Sequence, residues 1–175
     1  MLAQGRATGP NRRTGAHTWG MEWSRYRFRS DWRLDAEPGA VYRVLERPDR
    51  YSQWWPQVRE VRQTGDDSGV LRFRSALPYD LVVTARSTRH DAQSRVLEVA
   101  MTGDLEGWVR WTVDAGGGGY GTRLLFEQEV VVNKALMRWL AVPCRPFFLI
   151  NHTLMMRSGR RGLRALLATC APHLV

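Results

Sequence analysis

The chain has 175 residues, of which 43% are hydrophobic and 25% charged, and a formal net charge of +9. That length and apolar content suit one domain with a sizeable core. No run of about 18 uninterrupted apolar residues occurs, which excludes a transmembrane helix, and the opening MLAQGRATGPNRRTGAHTWG lacks the apolar segment of a secretory signal.

The expectation is therefore a cytoplasmic protein. Cys144 and Cys170 sit in no metal or redox spacing, which fits reduced thiols. The charge is uneven. Residues 1–20 carry Arg6, Arg12 and Arg13 and no acid; residues 130–175 carry seven basic residues and no acid; the centre is close to neutral. A basic C-terminal part can make weak contact with an anionic membrane or a partner, although a solvated helix face is the favoured account of it.

Residues 1–20, rich in Gly, Thr and Arg, read as a disordered basic tail, and 21–175 as a single domain; Met21 is an alternative start. From there the period is two. Tyr26, Phe28, Trp32 and Leu34 alternate with Arg27, Arg29, Asp31 and Arg33, the pattern of a half-buried strand. AEPGAVYRVLERP reads as a short helix with Pro38 in its first turn, and RYSQWWPQV as a second helical or turn segment stopped at Pro56. Six more strands follow, separated by turn signals such as Asp66-Asp67-Ser68-Gly69 and the Gly116–Gly119 run. The hairpin connections predict an antiparallel sheet.

The chain closes with helices expected at 134–141, broken by Pro143 and Pro146, and at 147–170. On the last helix Phe148, His152, Met155, Met156, Gly159, Leu163, Leu166, Leu167 and Cys170 share one stripe, with Arg157, Arg160, Arg161 and Arg164 mostly opposite. Gly159, near the centre of that stripe, implies close approach to another element, because a helical glycine costs about 1 kcal/mol against alanine. One sheet with one apolar face needs a cover, and this stripe supplies it.

The element order, YSQWWPQV after the first helix, LEGWVRWTVDAGGGGYGTRLLFEQEV and NHTLMMRSGRRGLRALL together resemble the START-like, or SRPBCC, superfamily, and within it the polyketide cyclase/dehydrase-type proteins. The resemblance covers roughly residues 24–171. It implies an α+β helix-grip fold: about seven antiparallel strands curved around a long C-terminal helix, with two short helices after the first strand. It further implies a deep pocket between sheet and helix that takes lipids, sterols, polyketides or other apolar ligands. Some members are enzymes, and fold does not settle which ones.

The candidate pocket residues follow from the faces. Phe73, Val99, Trp111 and Phe126 lie on the inward rows of the strands, and Gln128 interrupts one of those rows with a polar group. Trp54 and Trp55 are expected as an apolar wall or lid at one end of the grip. His152, Met155 and Met156 come from the stripe; Met suits a pocket that accepts varied apolar shapes. His152 is the one nominee for acid–base work, with Gln128 as the polar group it meets across the gap or as a second donor. Glu127 and Glu129 flank Gln128 and should point outward.

GGGGYGT contains a formal G-x-G-x-x-G, but a strand follows it rather than a helix, so it reads as a hairpin loop and not a dinucleotide site. His17, His90, His152 and His173 have no metal-ligand spacing, no G-x-S-x-G occurs, and no nucleic-acid motif appears. The expected protein is a cofactor-free and metal-free binder of a small hydrophobic ligand without a nucleic-acid partner. The alternatives are a polyketide aromatase/cyclase or dehydratase, and an interaction protein that docks through its basic C-terminal part. The sequence leaves the oligomeric state open.

Overall fold

Period-two alternation across the middle of the chain builds one sheet. The computed structural model describes residues 25–74, 80–117, 121–133 and 145–170. Seven antiparallel strands run in the order β1-β7-β6-β5-β4-β3-β2: β1 Arg25–Leu34, β2 Val58–Gln63, β3 Ser68–Arg74, β4 Asp80–Asp91, β5 Val96–Gly103, β6 Leu105–Ala115 and β7 Thr122–Val132. Successive strands pair as hairpins, except that β1 lies against β7, with Tyr26 opposite Val130 and Trp32 opposite Leu124. Register shifts at Val58/Glu60 and Ser87/Arg89 mark bulges, which bend a strand and raise its twist. The curved antiparallel sheet, the short helices and the long final helix are those the sequence implied.

Alternation places charge on the convex face. Arg29 lies opposite Glu127, Glu127 opposite Arg110, and Arg110 opposite Glu98. Arg110 approaches Glu98 to 2.6 Å, and Arg27 approaches Glu129 to 3.1 Å. Glu127 and Glu129 thus point outward, as expected. Exposed pairs of this kind contribute about 0–1 kcal/mol each; what they secure is which face is wet.

Between β1 and β2 the chain forms α1 (Pro38–Leu45), a 3-10 turn (Pro48–Arg50) and α2 (Tyr51–Trp54). Pro38 occupies the first turn of α1, where its missing N–H costs nothing. α2 ends at Trp54 because Pro56 forces the residue before it out of the helical region; Trp55 is extended, with φ −113° and ψ 95°. Val41, Tyr42 and Leu45 of α1 pack with Trp54, Trp55, Val113 and Leu124 into the main core.

The final helix, α3, spans Arg145–Cys170. It begins two residues earlier than the sequence suggested. Pro146 does not break it but lies in its first turn, where proline is tolerated. The stripe is as read: Met156, Gly159, Leu163 and Leu167 are buried, and Arg157, Arg161 and Arg164 are exposed.

Gly159 does make a close approach, but its partner is the side chain of Trp55, just after α2, and not the sheet. A Cβ there would lie 2.8 Å from Cε2 and 2.9 Å from Nε1 of Trp55. Its absence lets the indole N–H of Trp55 donate to the carbonyl of Met155 at 3.2 Å, one turn back on α3. Gly162 is tighter still: a Cβ would fall 1.7 Å from the carbonyl oxygen of Trp54. The two glycines thus form a notch in which Gly162 takes the Trp54 backbone and Gly159 the Trp55 indole.

The β6–β7 loop is closed by a bond from the Gly116 N–H to the Gly121 carbonyl at 2.9 Å, and β7 follows it, as a hairpin reading of the glycine run requires. The expected tail at 1–20, the expected helix at 134–141 and Cys144 lie outside the described residues.

Candidate functional site

The concave face of the sheet and the first half of α3 meet along β1 and β7, where His152 stacks on Phe28, and stand apart elsewhere. They enclose a cavity of about 510 Å³, within the range of about 300–1,000 Å³ usual for small-molecule sites. Inward rows supply its walls: Leu71 and Phe73 from β3, Leu81, Val83 and Ala85 from β4, Leu97, Val99 and Met101 from β5, and Val109 and Trp111 from β6. Phe126 and Val130 of β7 and Tyr26 and Phe28 of β1 continue them, and Phe148, His152 and Met155 of α3 form the roof.

The proposed pocket residues divide cleanly. Trp55, Phe73, Val99, Trp111, Phe126, Gln128, His152 and Met155 all line this one cavity. Trp54 and Met156 do not. Trp54 is 3% exposed and stacks on Trp55 at 5.3 Å, and Trp55 takes the cavity side. Met156 lies 100° round the helix from Met155 and turns into the closed core with Leu163. In each adjacent pair one residue lines the cavity and the other seals the core behind it.

Two polar side chains face each other across the cavity wall. His152 Nε2 lies 3.2 Å from Gln128 Oε1, linking α3 to β7. The imidazole stacks on Phe28 with centroids 3.6 Å apart and planes 12° apart, and Phe126 lies at 6.0 Å. Phe28 sits opposite Gln128 in the β1–β7 register, so one cross-strand pair positions both the ring beneath His152 and its hydrogen-bond partner. Phe28 was absent from the sequence candidates; its alternation on β1 together with that register is the signal that finds it. Burial in this aromatic surround pulls the His152 imidazole down to about 4, so the ring is neutral at neutral pH.

Charge appears at a rim. Three segments meet at the end of β4: His90 approaches Glu46 at 3.5 Å, and the Ser87 N–H donates to the Asp67 carbonyl at 2.8 Å. Glu46, Asp49, Asp66, Asp67, Arg89 and His90 border the cavity there, and all except half-buried Glu46 are exposed. Arg89 is engaged by Asp91 at 2.8 Å. Among the described residues no group of three or more His, Cys, Asp or Glu is arranged to hold a metal ion, and no helix is long and apolar enough to cross a membrane.

A curved seven-stranded sheet gripping one long helix around an apolar cavity defines a START-like helix-grip protein. Residues 34–149 match the family described as polyketide cyclase / dehydrase and lipid transport, and the chain belongs to that family. Solved structures agree on the fold. The Zhui aromatase/cyclase from Streptomyces sp. R1128 superposes with a TM-score of 0.68 at 14% identity, over 82% of this chain and 94% of that one. A START superfamily protein from Mycobacterium smegmatis gives 0.65 at 12% identity, over 83% and 99%. The di-domain aromatase/cyclase BexL gives 0.63 at 18% identity, over 83% of this chain and 50% of that one. Among curated proteins none matches this sequence.

Proposed function

We propose that this protein binds a small hydrophobic molecule, lipid-like or aromatic and polyketide-like, in the cavity between the sheet and the first half of α3. The observation that carries this reading is a mainly apolar space of about 510 Å³ whose described wall holds a hydrogen-bonded polar pair, Gln128 and His152. Apolar walls supply affinity by removing ligand surface from water, at about 25 cal/mol per Å². The polar pair sets orientation. Native mass spectrometry of the purified protein should detect a co-purifying apolar molecule, and extraction followed by titration with aromatic probes should restore a bound species. A protein that neither retains nor takes up any apolar molecule would refute the reading.

A second reading, an aromatase/cyclase or dehydratase, is favoured by the family's description and by the aromatase/cyclases among the structural neighbours. His152 is the group that would serve. Aldol closure with loss of water needs a chain held in a reactive fold and a hydrogen-bond donor at the developing enolate. Burial holds the His152 imidazole neutral at pH 7, the form of a base or an N–H donor rather than of an imidazolium acid. His152→Phe separates the two readings. Under the binding reading it leaves affinity for an apolar probe within about tenfold; under the catalytic reading turnover of a poly-β-ketone falls by about 10²–10⁴ while binding persists.

A further inference from the structure

We infer that the cavity discriminates by charge: it accepts uncharged ligands carrying one hydrogen-bonding group, which Gln128 and His152 receive, and it rejects carboxylates of the same size and shape. This deepens the binding reading above and rests on it.

The first observation is the hydrogen-bonding capacity left over by the pair. If the imidazole donates from Nε2 to Gln128 Oε1, the Gln128 amide NH2 and His152 Nδ1 are left. If the amide is turned so that its NH2 donates to Nε2, the Gln128 oxygen and an Nδ1–H are left. Either assignment leaves at least one donor and one acceptor. Among the described residues neither side chain makes another hydrogen bond. A phenol or an alcohol can meet both the donor and the acceptor and a ketone the donor; a hydrocarbon meets neither.

The second observation is where the cations stand. Among the described lining residues the only Lys or Arg are Arg74 and Arg89, and both are exposed. Arg74 reaches the cavity boundary from the exposed position after inward-facing Phe73, and Arg89 stands at the rim already held by Asp91. A carboxylate taken inside would lose its water and find no counter-charge, and buried charge without a partner is strongly disfavoured. The third observation is independent of the interior. Four carboxylates, Glu46, Asp49, Asp66 and Asp67, stand at the rim beside Arg89 and His90, so the rim is net acidic and disfavours an anion although the chain as a whole is basic. Rim and interior thus select the same way.

Three naphthalene probes of nearly equal bulk test this by calorimetric titration of the full chain at neutral pH: 2-methylnaphthalene, 2-acetylnaphthalene and 2-naphthoate. The ketone should bind tightest, and the carboxylate should be weaker than the ketone by about tenfold or more. Gln128→Leu, checked for folding by circular dichroism, should erase the advantage of ketone over methyl while keeping methylnaphthalene bound. Carboxylate binding equal to ketone binding would overturn charge discrimination and leave the pocket reading intact, with Arg74 or Arg89 as the group to replace next. Ketone and methyl compounds binding equally to the wild-type protein would overturn the role given to Gln128 and His152. If no naphthalene binds, the pocket reading fails and this inference falls with it. The wild-type comparison decides even if Gln128→Leu does not fold.

Discussion

The two halves of α3 do opposite things with the same kind of stripe. From Met156 onward the helix is pressed against its neighbours: Leu163 is fully buried, Gly162 admits the Trp54 backbone and Gly159 the Trp55 indole. Before Met156 the helix leans on β1 and β7 through His152, and Phe148, His152 and Met155 border a space of about 510 Å³. The difference lies in what opposes each half. Beneath the second half sit Trp54, Trp55, Trp32 and Trp111, large enough to fill the gap. Across the cavity from the first half, the walls hold smaller side chains such as Val83, Val99 and Val109. A hollow can exist on one end of a helix because the other end is clamped, so the second half supplies the stability that the first half forgoes.

The contrast can be broken most forcefully at Gly162. Gly162→Leu must push the Trp54 carbonyl away and undock α2, and urea unfolding should register a loss of about 3 kcal/mol or more. An unchanged midpoint would mean that α2 is not seated on the notch.

Next in size is an effect of pH in the hollow half. The folded-state pKa of His152 is about 4, against about 6.5 in the unfolded chain. Above pH 6.5 both states hold it neutral, so it has no influence. As pH falls from about 6.5 to 4 only the unfolded state takes up the proton, and stability drops by about 2–3 kcal/mol before levelling off. His152→Phe should flatten that segment of the stability curve. An equally steep variant would assign the slope elsewhere.

Gly159→Ala should cost about 1–2 kcal/mol, since alanine gains helix propensity but its methyl blocks the Trp55 N–H from the Met155 carbonyl. The Trp55 emission spectrum should shift with it. Smallest is Met155→Ala in the roof: under about 1 kcal/mol of stability, because the side chain already borders empty space, with a clear change in affinity for an apolar probe. A loss as large as that at Gly162 would show that the first half is packed after all.

Much of this arrangement is legible in the sequence. Alternation identified the inward rows of β3, β5, β6 and β7, and polar residues breaking two apolar patterns identified Gln128 and His152 before any contact between them was known. The choice within Trp54-Trp55 and Met155-Met156 was not legible. Neighbours on a helix lie 100° apart, and a wide apolar stripe contains both. Gly162 was missed because its reason lies in a carbonyl of α2, and backbone proximity leaves no mark in side-chain pattern. The rim residues read as ordinary loop charges until folding brought α1, the β2–β3 turn and the end of β4 together.

The β1–β7 pairing gives the chain a timetable. Residues 25–34 leave the ribosome first among the strands, and their hydrogen-bonding partner, residues 122–132, leaves last. β2 to β6 can form hairpins as they emerge, but one apolar face of β1, with Tyr26, Phe28, Trp32 and Leu34, must wait about a hundred residues, several seconds at bacterial or eukaryotic synthesis rates, for its mate. Closure of so long a loop makes a slow step, since non-local strand pairs form late. During that interval the nascent protein presents an unpaired aromatic edge to the cell, and that edge is where a chaperone would find it.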